Sequence, residues 1–192
     1  MSSTDKVSTI RSSADAQTQR DRQDAVRRLE ESAREFEAAV SGLTDAHWRL
    51  KPSADRWSIS ECVEHVVIVE ERVFGLVAGL AQAPPGPTPA AVSDDEILAR
   101  TLDRSTRFAA PERIHPTGRW ADQQAAMAAF EAVRRRAQDF LRTTEVDLRA
   151  RTAPHPVFGQ LDAHQWMLAM SAHSLRHVAQ IEEIKAGPGV PR

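Results

Sequence analysis

The stretch from Asp162 to Lys185 reads DAHQWMLAMSAHSLRHVAQIEEIK and predicts a long helix with two histidines on its buried face. Trp166, Met170, His173 and His177 follow one another at steps of four, three and four residues, which keeps them on one face of a helix. A buried imidazole needs a hydrogen-bond partner, and two in adjacent turns indicate a shared one. A divalent metal is such a partner, because histidines at i and i+4 can present two nitrogens to one ion.

Three other stretches show the same helical periodicity. The first runs from Val26 to Leu43, with arginine and glutamate between its apolar positions. The second begins at Ser58, because Glu61 three residues later completes a capping box before an apolar stripe that ends at Leu80. The third covers residues 121–144. Together with the last helix they predict four long helices.

Proline and glycine mark the connections between these helices. Residues 83–90, APPGPTPA, cannot continue a helix, and a short helix over 93–104 is expected before a second connector with Pro116 and Gly118. Residues 155–160, HPVFGQ, are interpreted as a turn, and no strand pattern of comparable length occurs. The sequence therefore predicts an all-α four-helix bundle with a long connection between helices two and three, a fold that builds metal sites from facing helices.

The chain divides into a short tail and one domain. Residues 1–20 are polar and without periodicity, which predicts a disordered N-terminal tail, and residues 21–192 are assigned to the bundle. No apolar run is long enough to span a bilayer, and the N-terminal stretch lacks the apolar segment of a signal peptide. The single cysteine, Cys62, cannot form an internal disulfide. We therefore expect a cytoplasmic protein.

The charge balance argues against a nucleic-acid partner. The chain has 25 basic and 27 acidic residues, for a formal charge of −2, whereas nucleic-acid-binding domains are normally basic. The run Arg134–Arg136 is interpreted as a solvated helix face, and the alternative is a contact to an acidic thiol cofactor or substrate.

A third histidine extends the candidate site. His65 flanks the apolar stripe of helix two, and it could join the pair on helix four or be an ordinary packed residue. Three nearby residues have two interpretations each. Glu61 could act as a general base or only cap its helix, and Cys62 could be a fourth ligand or a buried inert thiol. Gln180 could contact a ligand or simply end a helix. His164 lies nine residues before His173, about two and a half helical turns away and off the site. His47, His115 and His155 lie in or beside loops and are expected to be solvated.

Two segments resemble one protein family. The segment W57-S-I-S-E-C-V-E-H65 and the segment from His155 to Ile181 are similar to helix two and helix four of the DinB-like (DinB/YfiT) superfamily. The resemblance covers roughly residues 22–186. It implies a four-helix bundle in which one histidine of helix two and two of helix four bind a divalent metal. Carried over to this chain, these ligands are His65, His173 and His177.

The resemblance also limits the reactions to consider. Family members with known activity include bacillithiol and mycothiol transferases and thiol-dependent isomerases. It implies a small-molecule substrate and a homodimer, and three imidazole ligands suit a divalent ion such as Zn, Ni or Fe. Three neutral imidazoles leave an ion with an open position, as in catalytic sites. We therefore expect transfer to or from a low-molecular-weight thiol. The alternatives are hydrolysis by a metal-activated water and non-catalytic, stress-related binding of a metal or ligand.

Overall fold

The computed structural model describes residues 3–105 and 109–187, with side chains described from residue 15 onward. Seven helical segments and two strands lie in these ranges. In chain order they are α1 (Ser3–Val40), α2 (Asp45–Arg49), α3 (Ile59–Gln82), α4 (Asp94–Leu102), a 3-10 helix (Glu112–Ile114), α5 (Gln123–Thr143), β1 (Thr152–His155), β2 (Gly159–Asp162) and α6 (Ala163–Lys185).

The four long helices α1, α3, α5 and α6 form the predicted bundle. Helix α1 packs against α5 and α6, and α3 packs against the same two helices, so the order around the bundle is α1, α6, α3, α5. Helix α4 lies in the long connection between α3 and α5 and packs on α6. The prediction of an all-α four-helix bundle is confirmed.

Side-chain caps fix where the two site-bearing helices begin. Ser58 accepts a hydrogen bond from the backbone N–H of Glu61, and the Glu61 carboxylate accepts one from the backbone N–H of Ser58 at 2.8 Å. Asp162 and Gln165 form the same reciprocal cap at the start of α6. Each cap satisfies two backbone donors that a helix N-terminus otherwise leaves unpaired.

A small antiparallel hairpin precedes α6 where the sequence predicted only a turn. Strands β1 and β2 pair in a register that sets Thr152 opposite Asp162 and His155 opposite Gly159. Gly159 has a φ of 77°, a conformation that side chains with a Cβ rarely adopt, and this lets the chain reverse within so few residues. Each strand has four residues, too few to give an alternation pattern in the sequence.

Helix α1 begins at Ser3, inside the segment 1–20 for which the sequence predicted a disordered tail. The helix is held locally near residue 20, where Gln17 donates to the Asp21 carboxylate at 2.9 Å, an i to i+4 contact. Asp21 also accepts a hydrogen bond from Arg149 at 3.1 Å. Polar contacts of this kind leave no apolar periodicity in the sequence. The division into a tail and a bundle domain stays a prediction.

The interior has two apolar clusters separated by a polar layer. One cluster is built around Leu29, Phe74 and Met167, and the other around Phe36 and Phe130. The fully buried large residues of these clusters also include Ile59, Ile97, Leu141, Leu148, Leu161, Met170 and Ile181.

The polar layer contains a buried ion pair between α3 and α5. Arg134 donates to both carboxylate oxygens of Glu70, at 2.7 and 2.6 Å, and the two side chains are 3% and 0% exposed. Arg134 also donates to Ser32 on α1 and to Ser174 on α6, each at 2.8 Å. The layer therefore joins all four long helices. The interpretation of Arg134–Arg136 as a solvated face is wrong for Arg134, because its position turns into the bundle.

Among the helices within residues 3–105 and 109–187, none combines the length and the apolar character that crossing a membrane requires.

Candidate metal centre

Three histidines from two facing helices meet inside the bundle. His65 lies two turns into α3, and His173 and His177 lie one turn apart on α6. Because α3 packs directly against α6, side chains from the two helices can share one point. His65 and His177 are 3% and 6% exposed, and His173 is partly exposed.

Their Nε2 atoms converge. The Nε2 atom of His173 lies 3.2 Å from that of His65 and 3.3 Å from that of His177. One nitrogen from each ring lies within 4.8 Å of the others, and among the described residues this is the one group of three potential metal ligands that meets that condition. In a tetrahedral zinc site with bonds of about 2.0–2.1 Å, neighbouring nitrogens are about 3.4 Å apart. The spacing of the imidazoles therefore fits one ion.

A backbone carbonyl decides which nitrogen of His65 carries the proton. Its Nδ1 lies 2.8 Å from the carbonyl oxygen of Ile114, at the end of the 3-10 helix. Since a carbonyl can only accept, Nδ1 is the donor and Nε2 keeps a lone pair. A hydrogen bond of this type, from the nitrogen that does not bind metal, fixes both the tautomer and the ring orientation of metal-binding histidines.

Burial keeps all three rings neutral. Removal from water lowers the pKa of His173 and His177 well below the usual histidine range, and neighbouring histidines and arginines add to the effect. Burial also lowers the pKa of His65, although its bond to Ile114 opposes this. Neutral imidazoles are the form that coordinates a metal.

Without an ion, the three nitrogens do not satisfy one another. His65 Nε2 is an acceptor, and a neutral His173 can direct at most one Nε2 proton at its two neighbours. At least one of the contacts at 3.2 and 3.3 Å would then lack a hydrogen. The donor set therefore fits a divalent ion better than a packed core. Binding of a divalent ion by these three residues stays a prediction.

Aromatic rings lie on one side of the three histidines. The indole of Trp57 lies 4.7 Å from the ring of His65 and stacks at 6.4 Å against that of His177, measured between ring centroids. His115, on the long connection, meets the edge of Trp57 at 6.1 Å. Trp57 is half-buried beside two of the three imidazoles.

Three further candidates lie outside the histidine group. Glu61 caps α3 and pairs with Lys51 at 2.8 Å; burial acts to raise its pKa, but the hydrogen bonds from Lys51 and Ser58 outweigh this and lower the pKa. Cys62 is fully buried, and burial raises the pKa of its thiol to about 12. Gln180 is partly exposed, near the end of α6. Their catalytic or ligand roles stay predictions.

The remaining histidines occupy other environments. His164 is buried near the start of α6, with Nε2 3.8 Å from Asp24 and Nδ1 3.6 Å from Asp94. His155 was expected to be solvated, but its ring packs on Phe158 and Trp166 and is partly buried.

The hydrogen bond from His65 to the carbonyl oxygen of Ile114 could not be predicted from the sequence, because a backbone acceptor carries no residue-type signal.

Comparison with known proteins agrees with the fold. The Bacillus subtilis (strain 168) protein YuaE, which is named as uncharacterised, is 25% identical over 146 residues, covering 76% of this chain and 88% of YuaE. The solved structure of YfiT from Bacillus subtilis has a TM-score of 0.60, at 20% identity and with 86% of each chain covered. YfiT is described as a probable metal-dependent hydrolase with an unusual four-helix bundle topology. The model of the DinB superfamily matches residues 28–181, and the chain belongs to this superfamily.

Proposed function

We propose that this protein is a divalent-metal-dependent enzyme acting on a small molecule, with His65, His173 and His177 as the metal ligands. The observation that carries the proposal is the convergence of three neutral imidazoles, one nitrogen of each within 4.8 Å of the others. Neutral ligands leave the full charge of a Zn, Ni or Fe dication, and three protein ligands leave a position open. When bound, such an ion supplies Lewis acidity that lowers the pKa of a coordinated thiol or water.

The nucleophile has to come from solution. Cys62 is the single cysteine of the chain, and it is buried with a pKa of about 12, so it supplies no thiolate at neutral pH. The carboxylates nearest to His65 along α3 are also engaged. Glu61 is bound to Lys51 and to Ser58, and Glu64 accepts four hydrogen bonds from the long connection.

Because Glu61 and Glu64 are both engaged in other bonds, a nucleophile that ionises without a general base is favoured. A thiol with a pKa of about 8.5 ionises far more readily than water, whose pKa is about 15.7. The preferred reaction is therefore transfer to or from a low-molecular-weight thiol. The half-buried indole of Trp57 beside the site gives an apolar surface for the molecule that the thiol attacks.

The second candidate is hydrolysis, with water as the nucleophile. It is favoured by the likeness to YfiT, the probable metal-dependent hydrolase that has the same fold. A site with three histidine ligands can lower the pKa of a bound water to about 7 without a carboxylate base, so the geometry is compatible with this chemistry too. Non-catalytic binding of a metal or ligand is the third possibility. A cytoplasmic location and a homodimer remain predictions.

The test uses a spectroscopically visible ion. Untagged protein is loaded with Co²⁺, and the visible spectrum is recorded while bacillithiol, mycothiol or glutathione is added. Thiol transfer predicts a thiolate-to-cobalt charge-transfer band and release of a proton near pH 7. The His173→Ala/His177→Ala variant is the control and should show neither change.

The same samples separate the three functions. A Co²⁺ spectrum that none of the thiols perturbs contradicts thiol transfer. Metal-dependent turnover of an activated ester, lost in the control variant, would then establish hydrolysis. No response to thiol and no turnover would leave non-catalytic binding and overturn the enzyme proposal.

A further inference from the structure

Glu64, the residue before His65 on α3, is a buried acidic residue. Its side chain is 6% exposed and carries a carboxylate into the interior, where such a group must be fully hydrogen-bonded. The bonds come from the long connection. Oε1 accepts from the backbone N–H of Thr117 at 2.6 Å, from the Thr117 hydroxyl at 3.1 Å and from the backbone N–H of Arg119 at 3.1 Å, while Oε2 accepts from the N–H of Gly118 at 2.9 Å.

Three consecutive backbone N–H groups therefore surround one carboxylate. Runs of backbone donors of this kind form anion-binding concavities, and here the anion is supplied by the protein itself. Charge-assisted bonds from backbone N–H to carboxylate are among the stronger hydrogen bonds in proteins. Glu64 thus fixes residues 117–119 against α3.

The same connection holds His65. Its Nδ1 donates to the carbonyl oxygen of Ile114, three residues before Thr117, at 2.8 Å. Glu64 and His65, which are successive residues of α3, therefore both hydrogen-bond the connection between α3 and α5, at two nearby points. The carboxylate of Glu64 holds the loop, and the loop presents the carbonyl that orients the His65 ring.

We propose that Glu64 is a positioning residue of the metal site, which acts through residues 114–119 and through His65. This inference rests on the proposed function, since it assumes that His65 binds an ion. Glu64 itself is not part of the group of converging ligands. Groups bonded directly to a metal-binding histidine typically contribute roughly 10- to 100-fold to metal affinity. Here that group is the carbonyl of Ile114, on which Glu64 acts through the loop, so we expect Glu64→Ala to weaken binding by more than twofold and at most by this factor.

The four hydrogen bonds to Glu64 need two acceptor oxygens, which a carboxylate has and an amide lacks. Glu64→Gln replaces one acceptor oxygen by an NH₂ group, which then faces a backbone N–H. The amide loses at least the bond to Gly118, whereas its remaining oxygen can keep the three bonds to Thr117 and Arg119. We therefore expect Glu64→Gln to weaken metal binding less than Glu64→Ala does.

A matched control lies on the same helix. Glu71 also binds the connection, through two bonds to the Arg119 guanidinium at 2.6 and 3.2 Å, but its side chain is 35% exposed. Exposed ion pairs contribute little, so Glu71→Gln should leave metal affinity within about twofold of wild type.

The experiment is a double-mutant cycle on the full chain. Zn²⁺ affinity is measured by chelator competition for wild type, Glu64→Ala, Glu64→Gln, Glu71→Gln, His65→Ala and Glu64→Ala/His65→Ala. If Glu64 acts through His65, its replacement should change affinity by less than about twofold once His65 is absent. Additive losses, or a loss equal to that of Glu71→Gln, overturn the inference.

Hydrogen exchange gives a second readout. Since metal affinity and loop order are linked reciprocally, Zn²⁺ should slow amide exchange at residues 117–119 in wild type but not in His65→Ala. This measurement needs no Glu64 variant and decides the question if Glu64→Ala does not fold. Exchange at these residues that is unchanged by Zn²⁺ contradicts the inference. Equal Zn²⁺ affinity in wild type and His65→Ala would instead contradict the proposed function.

Discussion

The buried ion pair between Glu70 and Arg134 allows a quantitative prediction about stability. Arg134→Met keeps the volume of the side chain but removes the cation, and the Glu70 carboxylate then keeps only the hydroxyl of Ser174, at 2.6 Å, in a site where its exposure is 0%. Removal of one partner of a buried pair costs about 3–5 kcal/mol. For 192 residues the entropy of unfolding is about 0.4 kcal/mol/K, so Tm should fall by about 8–12 °C.

The double variant Arg134→Met/Glu70→Met tests the physical reason for that loss. With both charges gone no buried charge is left unpaired. Ser32 already donates to the carbonyl oxygen of Arg28 at 2.8 Å, and the Ser174 hydroxyl, freed from Glu70, can donate to the carbonyl oxygen of Met170, 3.2 Å away. We therefore expect the double variant to regain most of the lost stability. Urea unfolding of chelator-treated protein measures the free energies without a contribution from bound metal. A loss under about 1 kcal/mol in the single variant, or a double variant at least as unstable as Arg134→Met, would show that the unpaired Glu70 carboxylate is not what destabilises the protein.

Two further predictions concern single residues. Burial lowers the pKa of His155 to about 4, and its Nδ1 accepts a hydrogen bond from the backbone N–H of Val157 at 3.1 Å. The neutral ring therefore stabilises the folded protein. This contribution should be complete above the unfolded pKa of about 6.5 and should be lost as the pH falls towards 4. His155→Asn keeps an acceptor and should flatten this pH dependence in urea unfolding, and an unchanged profile would contradict it. Cys62, with a pKa of about 12 and no exposure, should resist iodoacetamide at pH 8 until the protein is denatured, whereas rapid labelling of the native protein would show that its thiol is accessible.

The helices could be predicted because their signals are local. The Ser58 and Asp162 caps, the apolar stripes and the proline segments lie within a few residues of the features that they decide. The hairpin before α6 was missed because its four-residue strands are too short to alternate visibly. No local pattern indicated the helix around residue 20, because the contacts that hold α1 near Asp21 are polar and include Arg149, far along the chain.

The site was only partly predictable. The three histidines stand out because they combine a polar residue type with positions on or beside apolar stripes. Arg134 carried a similar signal, since it lies four residues after Phe130 on the inward face, but it was hidden in a run of three arginines. The role of Glu64 has no signal in the sequence, because the hydrogen-bond partners of Glu64 are backbone N–H groups of a loop whose path no local pattern specifies.

The central claim, that one ion is held jointly by His65, His173 and His177, is tested most directly by metal stoichiometry. Untagged wild type, His173→Ala/His177→Ala and the exposed control His115→Ala are equilibrated with Zn²⁺, desalted and analysed for metal and protein. We expect one tightly held ion per chain in wild type and in His115→Ala, and none in the double variant. Equal metal content in wild type and the double variant would contradict it.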